Sequence, residues 1–367
     1  MTQQPSKTPA ADGTHPVDGV LLLTNDDIKS VLDIPSYIDA LEMAYRQLGE
    51  EVAQNMPRQR LFVPLEEANT HHWFNLHAGL VPGAHAGALR VNAGRVRFES
   101  QFGSQRMEFP GSLVGLVCVF EIETGRLRAI IHDFYINPIR VACTSALGAR
   151  YLARNDSEIL GLLGTGWQAR WQLTALLNVR AFRRVCVYSP NPEHRTRFVR
   201  QQAERSSGVD FAAADSAEEA VRGADVVVAA TNAINPVMKG EWIKPGAHVI
   251  SISGGDRLDQ RKEIDEETVT RSSLVVVNSK VQVELDQQLD LLPVITSKQL
   301  SMDQIVELSQ VVREGGVRPR SPEDITFHFN NTGMGIQFAA IGARMVDAAE
   351  AKGVGTRWPY TWRGRAL

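Results

Sequence analysis

Cysteine is scarce in this 367-residue chain: Cys118, Cys143 and Cys186, none near another. An odd, scattered set supplies no disulfide framework and reads as buried, reduced thiols in a reducing cytoplasm. Long apolar runs are missing too. The stretch 113–120 falls far short of the roughly 20 residues a membrane helix needs, so no membrane partner is expected. The tail, residues 1–20, is rich in Thr, Pro, Gln and Gly and has no apolar core of signal-peptide length, so it is expected to be flexible. Neither charge sign dominates: 39 Lys and Arg stand against 42 Asp and Glu, interspersed, which leaves no basic stripe for a nucleic acid. His71, His72, His77 and His85 lie close together but lack the i, i+4 pairing or cysteine partner of a zinc site, so no metal is expected. With 43% apolar and 22% charged residues, what is left is an ordinary globular composition, long enough for two domains.

The pattern along the chain changes character near residue 155. Before it, Asn25-Asp26-Asp27 offers caps for a helix through Leu32, and a second helix starting at Pro35 carries the stripe Tyr37, Ala40, Leu41, Ala44, Leu48. Strands are expected at 60–63, 73–76, 88–91, 113–122 and 127–132, with Glu123-Thr124-Gly125-Arg126 as a hairpin turn. The polar stretch 92–111, with Arg95, Arg97 and Arg106, reads equally as a loop over a site or as a solvated excursion. A helix follows over 138–154. Beyond it, strands at 159–163, 184–188, 211–214, 225–230, 248–253 and 274–278 alternate with helices at 169–179, 193–204 and 217–221, the cadence of a doubly wound parallel sheet. A short strand at 325–329 and a helix over 335–351 close the chain, and the aromatic tail 358–362 is expected to pack back on the body.

The first strand of the second half runs into Gly164-Thr165-Gly166-Trp167-Gln168-Ala169. A strand before and a helix after give this G-x-G-x-x-A the context of a dinucleotide fingerprint. The first glycine turns the chain, the second lets backbone reach the pyrophosphate, and the small third residue lets helix and strand pack closely. The helix N-terminus then offers N–H groups and a positive dipole end to phosphate. The next strand ends Tyr188-Ser189-Pro190-Asn191 with no acid to hold ribose hydroxyls. Ser189, Asn191, His194 and Arg195 can instead hold a 2′-phosphate, which points to NADP, with NAD as the alternative.

Four segments then stand out: Ile139-Arg140-Val141-Ala142-Cys143-Thr144-Ser145-Ala146; the fingerprint with Gln172; Ser253-Gly254-Gly255-Asp256 with Lys262-Glu263; and Asn330 to Gln337. Together they resemble the ornithine cyclodeaminase/mu-crystallin family over roughly residues 21–351. The resemblance implies an α/β fold in which a Rossmann doubly wound parallel sheet (141–329) is inserted into an α+β substrate-binding and dimerisation domain (21–140 plus 330–367). It also implies a homodimer and a small amino or imino acid substrate. It implies cofactor contacts from Thr144, Thr231, Asn232, Ser253, Gly254, Asn331 and Thr332 beside the fingerprint.

Carried over residue by residue, the resemblance makes Arg140 and Arg58 carboxylate-binding arginines, a task suited to a guanidinium fork, and Asp256 the acid opposite the nicotinamide. The family lysine falls on Arg90, which keeps a charge for catalysis or substrate binding but cannot shuttle a proton. His77 stands where the family often has methionine and offers a substitute acid/base. Val141 stands for a family threonine, Phe338 for an acid and Asn331 for a serine. The expected activity is an NAD(P)-dependent reductase or dehydrogenase acting at a C–N bond. A cyclodeaminase, or a mu-crystallin-like binding protein with little turnover, is the alternative.

Overall fold

The computed structural model describes residues 19–101, 103–316 and 321–359. Most of the expected N-terminal tail lies outside them. Its last two residues are buried, and Val20 already opens a strand, Val20–Leu23.

Two sheets organise the chain. The second half forms an eight-stranded sheet whose neighbouring strands all run parallel. Its order is Asp210–Ala213, Arg184–Tyr188, Ile159–Leu163, Val226–Ala229, His248–Ser251, Thr326–Phe329, Leu274–Val277, Val306–Glu307. The sequence order reverses on either side of Ile159–Leu163, the switch point where such sheets open a crevice for ligands. Central strands such as Val226–Ala229 and His248–Ser251 are buried throughout, because helices cover both faces of a parallel sheet. The late strand Thr326–Phe329 slots between His248–Ser251 and Leu274–Val277, which returns the chain to the middle of this sheet before its last helix.

The other sheet has nine mostly antiparallel strands. Thr70–Val81 and Ala86–Gln101 pair along their length, and Val114–Glu121 and Leu127–His132 follow outward. Helix Gly335–Lys352 covers its inner face, and Ile34–Gly49 packs on that helix. Ile34–Gly49 starts where Asp33 accepts from the Ser36 N–H, with Pro35 in the first turn, and it buries Tyr37, Ile38, Leu41, Ala44 and Tyr45. Each large apolar side chain buried this way contributes about 1.5–3 kcal/mol. Ile136–Leu152 joins the two halves and is buried on nearly every side. At Gly148 a Cβ would overlap the His328 ring of the parallel sheet, so glycine lets the helix lie against it.

Three expectations change. The first helix is only Asn25–Ile28, capped by Thr24. Thr70–Val81 is far longer than the apolar pattern suggested, because its inward positions carry Asn75 and His77 rather than aliphatics. The stretch 92–111 is neither loop nor excursion. It continues the strand Ala86–Gln101 and turns back as Ser104–Glu108. The hairpin then reaches the other sheet: Gln105 and Gln260 exchange two hydrogen bonds at 2.8 Å, and Arg106 binds Asp259 at 2.9 Å. Of the aromatic tail, Trp358 ends a strand, Thr356–Trp358, paired with the first strand and is itself exposed; residues 360–362 lie outside the described residues. The three cysteines are unpaired, Cys143 buried but Cys118 and Cys186 only half-buried.

Candidate active site

A cavity of about 760 Å³ opens at the C-terminal edge of the parallel sheet. Gly164, at φ +115°, makes the turn out of Ile159–Leu163, and a Cβ there would overlap the Ala230 carbonyl. Gly166 faces open space, with nothing within 4 Å of where its Cβ would stand. The helix Trp167–Leu176 starts there with no side-chain cap, so its first N–H groups are free for an anion. Thr165, Trp167 and Gln168 line the cavity, whereas Ala169 is buried against the sheet and serves packing alone. An open backbone cradle, an uncapped helix and a crevice at the switch point fit a dinucleotide pyrophosphate.

Ser189, Thr231, Asn232, Ser253, Gly254, Asn331 and Thr332 also line this cavity. Four expected contacts differ. Asn191 caps the helix Pro192–Ala203, accepting from the Glu193 and His194 N–H groups. Arg195 is held away by Asp215 at 2.8 Å and by the Ser189 carbonyl, with its guanidinium over the Tyr188 ring. Thr144 lies inside its helix, donating to the Arg140 carbonyl and accepting from Gln337. Asn331 reaches the cavity, but its side chain is spent on Asn278, Ser279 and Gln288. His194, like Ser189 expected near a 2′-phosphate, also lines the cavity. Two buried acids brace the far wall. Glu263 accepts from the Thr231, Ser251 and Ile252 groups that end two strands. Asp290 accepts from the Ser253 hydroxyl at 2.5 Å, and burial pushes its pKa up to about 7.

At the inner end, Arg140 and Arg58 line the cavity. Arg140 donates to Gln337 at 3.1 Å and to Asn137 at 2.8 Å, both neutral amide oxygens, and its Nε has no partner. Burial, and then the nearby Arg90 charge, push its pKa down to about 9. Gly333 makes room for it: a Cβ there would stand 2.8 Å from the guanidinium. Arg90 lies deeper, with Nε 2.5 Å from Asp133. His77 pairs with it across the strands, Nδ1 3.4 Å from its guanidinium. Burial, then Arg90, Arg140 and Arg58, hold the His77 pKa well below the ordinary histidine range, so the imidazole is neutral. The Phe338 ring packs under all three, 5.0 Å from the Arg90 guanidinium, 5.2 Å from that of Arg140 and 5.7 Å from the His77 ring.

Asp256 is buried beside this cluster rather than on the cavity wall. One oxygen accepts from the Leu258 and Asp259 N–H groups, and the other lies 2.8 Å from Arg60 and 3.8 Å from Arg58. Both arginines also bind Asp286, which Gln282 supports at 2.8 Å. Arg60, Asp286 and Asp133 escaped the sequence reading. Arg60 had a signal: in Arg58-Gln59-Arg60 the period of a strand puts both arginines on one face. Among the described residues, no group of three or more His, Cys, Asp or Glu could hold a metal.

A dinucleotide crevice ending in a buried arginine cluster is now matched by similarity along the chain. Residues 21–353 match the ornithine cyclodeaminase/mu-crystallin family. The chain belongs to this family. The iminosuccinate reductase of Paracoccus denitrificans is 26% identical over 91% of this chain and 98% of its own. The ketimine reductase mu-crystallin of Macropus fuliginosus is 32% identical over 63% of this chain and 67% of its own. The solved structure of Thermococcus litoralis Delta(1)-pyrroline-2-carboxylate reductase, in complex with NADH and L-proline, aligns with a TM-score of 0.79. It is 27% identical and covers 92% of this chain and 100% of that one.

Proposed function

We propose that this family member is an NAD(P)-dependent reductase or dehydrogenase acting at the C–N bond of a small imino or amino acid. One observation carries the reading: Arg140, a buried guanidinium without a carboxylate partner among the described residues, closes the inner end of the dinucleotide cavity. A carboxylate gripped there fixes the neighbouring carbon at the cavity's redox end, and such orientation supplies much of the rate in reactions of this kind. Two of the similar proteins, an iminosuccinate reductase and a ketimine reductase, are named for reduction at a C–N bond, which supports the reading.

Gly164, Gly166 and the helix they introduce would hold the pyrophosphate, and Ser253, Gly254 and Thr332 the nicotinamide end. When bound, the cofactor supplies or accepts the hydride at carbon; in reduction the nitrogen gains a proton. Asp256 is our choice for the proton-handling group, with Arg60 and two backbone N–H groups fixing its orientation. Arg90, pinned by Asp133, contributes a fixed charge rather than a proton. Neutral His77 is available as a hydrogen-bond partner for substrate nitrogen or oxygen. Ser189 and His194, with no acid between them, favour a 2′-phosphate and therefore NADP.

The 21–140 and C-terminal parts form the substrate and dimerisation domain in this reading, and 141–329 the cofactor domain. The outer face of the nine-stranded sheet exposes Leu61, Val63, Phe74, Leu80, Val114 and Leu116. An apolar face of this breadth is suited to burial against a second copy. Three unpaired cysteines suit a reducing cytoplasm, and no described helix is long and apolar enough to cross a membrane. The test is oxidation of NADPH and NADH with a panel of cyclic ketimines and with keto acids plus amine. Cofactor oxidation is expected. Silence across the panel together with ammonia release from ornithine on catalytic NAD would replace this reading with a cyclodeaminase.

A further inference from the structure

The ionic groups at the inner end of the cavity form one connected cluster. Arg90 is matched by Asp133. Arg58 and Arg60 are matched by Asp256 and Asp286, in a closed set of four contacts. Among the described residues Arg140 has no acid partner; its guanidinium donates to amide oxygens and lies over the face of Phe338, 5.2 Å from the ring centroid. The same ring faces Arg90. An aromatic face attracts a cation through its quadrupole but carries no net charge, so Phe338 steadies the two guanidinium groups without neutralising either. His77, held neutral, adds nothing to the sum. The cluster therefore carries one uncompensated positive charge in a place from which water is largely excluded.

We propose that Phe338 is the specificity-determining residue that tunes this site to substrates of net charge −1, monocarboxylates with an uncharged imine and side chain, and against diamino acids. The inference rests on the reductase reading for its choice of imine. A monocarboxylate completes the charge balance at Arg140. A second carboxylate finds each remaining arginine already paired. A diamino acid, with two ammonium groups and one carboxylate, adds a net positive charge to a site already positive, and like charges a few ångströms apart in such surroundings repel strongly. Phe338 touches neither reacting atom; it acts through Arg140 and Arg90.

The test compares binding of pyrrole-2-carboxylate, a planar monocarboxylate, and L-ornithine to the full-length protein preloaded with oxidised cofactor, by calorimetry. The wild type is expected to bind the monoanion at least about tenfold more tightly than ornithine. Equal or tighter ornithine binding overturns the proposal, and this arm needs no variant to fold. Phe338→Glu and Phe338→Gln are then compared, since they match in shape and differ in charge. The Glu variant is expected to bind the monoanion roughly tenfold or more weakly than the Gln variant. In turnover that difference falls on KM rather than kcat. Equal KM values in the two variants, or a loss confined to kcat, overturn the role of Phe338. A clear preference for the monoanion with no turnover of any imine keeps this proposal and removes the reductase reading, so the two fail separately.

Discussion

Replacing Asp133 by Asn is the sharpest single perturbation of the buried cluster. Arg90 and Asp133 lie 2.5 Å apart with side chains only 5% exposed, so solvent screening is slight. The exchange conserves shape. It keeps an acceptor oxygen for Arg90 and for Asn92, whose amide lies 3.4 Å from the carboxylate, but leaves the guanidinium charge unpaired. Losing one partner of a buried pair typically costs about 3–5 kcal/mol, and the surviving neutral hydrogen bond offsets about 1 kcal/mol of that. A net loss of roughly 2–4 kcal/mol follows, read as a shift of the urea midpoint at constant slope for the transition of this sheet. The double variant Asp133→Asn/Arg90→Met removes the orphaned charge and should regain most of the loss, because an apolar residue tolerates this burial. A loss below about 0.5 kcal/mol in the single variant, or a double variant less stable than the single, would refute the claim that Arg90 depends on Asp133 for its charge.

Other outcomes follow from the same geometry. Gly164→Ala forces a Cβ onto the Ala230 carbonyl at a left-handed φ; cofactor affinity should fall at least roughly tenfold, measured by fluorescence titration, and unchanged affinity would detach this turn from the cofactor. Gly333→Ala pushes on the Arg140 guanidinium and should raise KM for a carboxylate substrate with little effect on cofactor binding. For pH, a bound carboxylate favours the charged form of Arg140, so KM should stay flat between pH 7 and 8 and climb as pH passes about 9; a flat profile to pH 10 would contradict this. Asp290 is the opposite case, an acid whose folded pKa is raised to about 7. Between its unfolded value and 7 the folded state binds more protons, so stability falls as pH rises through that window. Asp290→Asn should remove that slope, stabilising the protein by on the order of 2 kcal/mol at pH 8 and by much less at pH 5; equal effects at both pH values would refute it.

The cofactor crevice was legible from sequence because its signals are local. Gly164 and Gly166 sit where a strand's apolar run stops and a helix starts, and backbone geometry demands them. The inner end was only partly legible. Arg58, Arg140, Arg90 and His77 could be singled out, but the groups they meet, Asp286, Asp133 and the Phe338 ring, come from distant segments that only the fold brings together. The polar inward positions of Thr70–Val81 also hid most of that strand, since a strand lining a polar site breaks the alternation by which strands are recognised. Arg195 shows the converse limit: a cation placed rightly along the chain is drawn off by Asp215, an acid beyond the next strand.

The hairpin that joins Ala86–Gln101 to Ser104–Glu108 gives the cavity a fastening beyond the chain's own crossings and the Arg58 and Arg60 ion pairs. Two covalent crossings link the sheets, one through the helix Ile136–Leu152 and one where Thr326–Phe329 leads into the last helix. A protein tied only there would work as a clamshell, its jaws free to widen for each ligand. Here Gln105, Gln260, Arg106 and Asp259 bolt a further edge, and Arg106 also reaches the carbonyl of Asn232 on the cavity wall. The aperture is thereby held on a further side: parting the sheets for a bulkier ligand has to break these contacts as well, whereas reshaping side chains at the mouth leaves them intact.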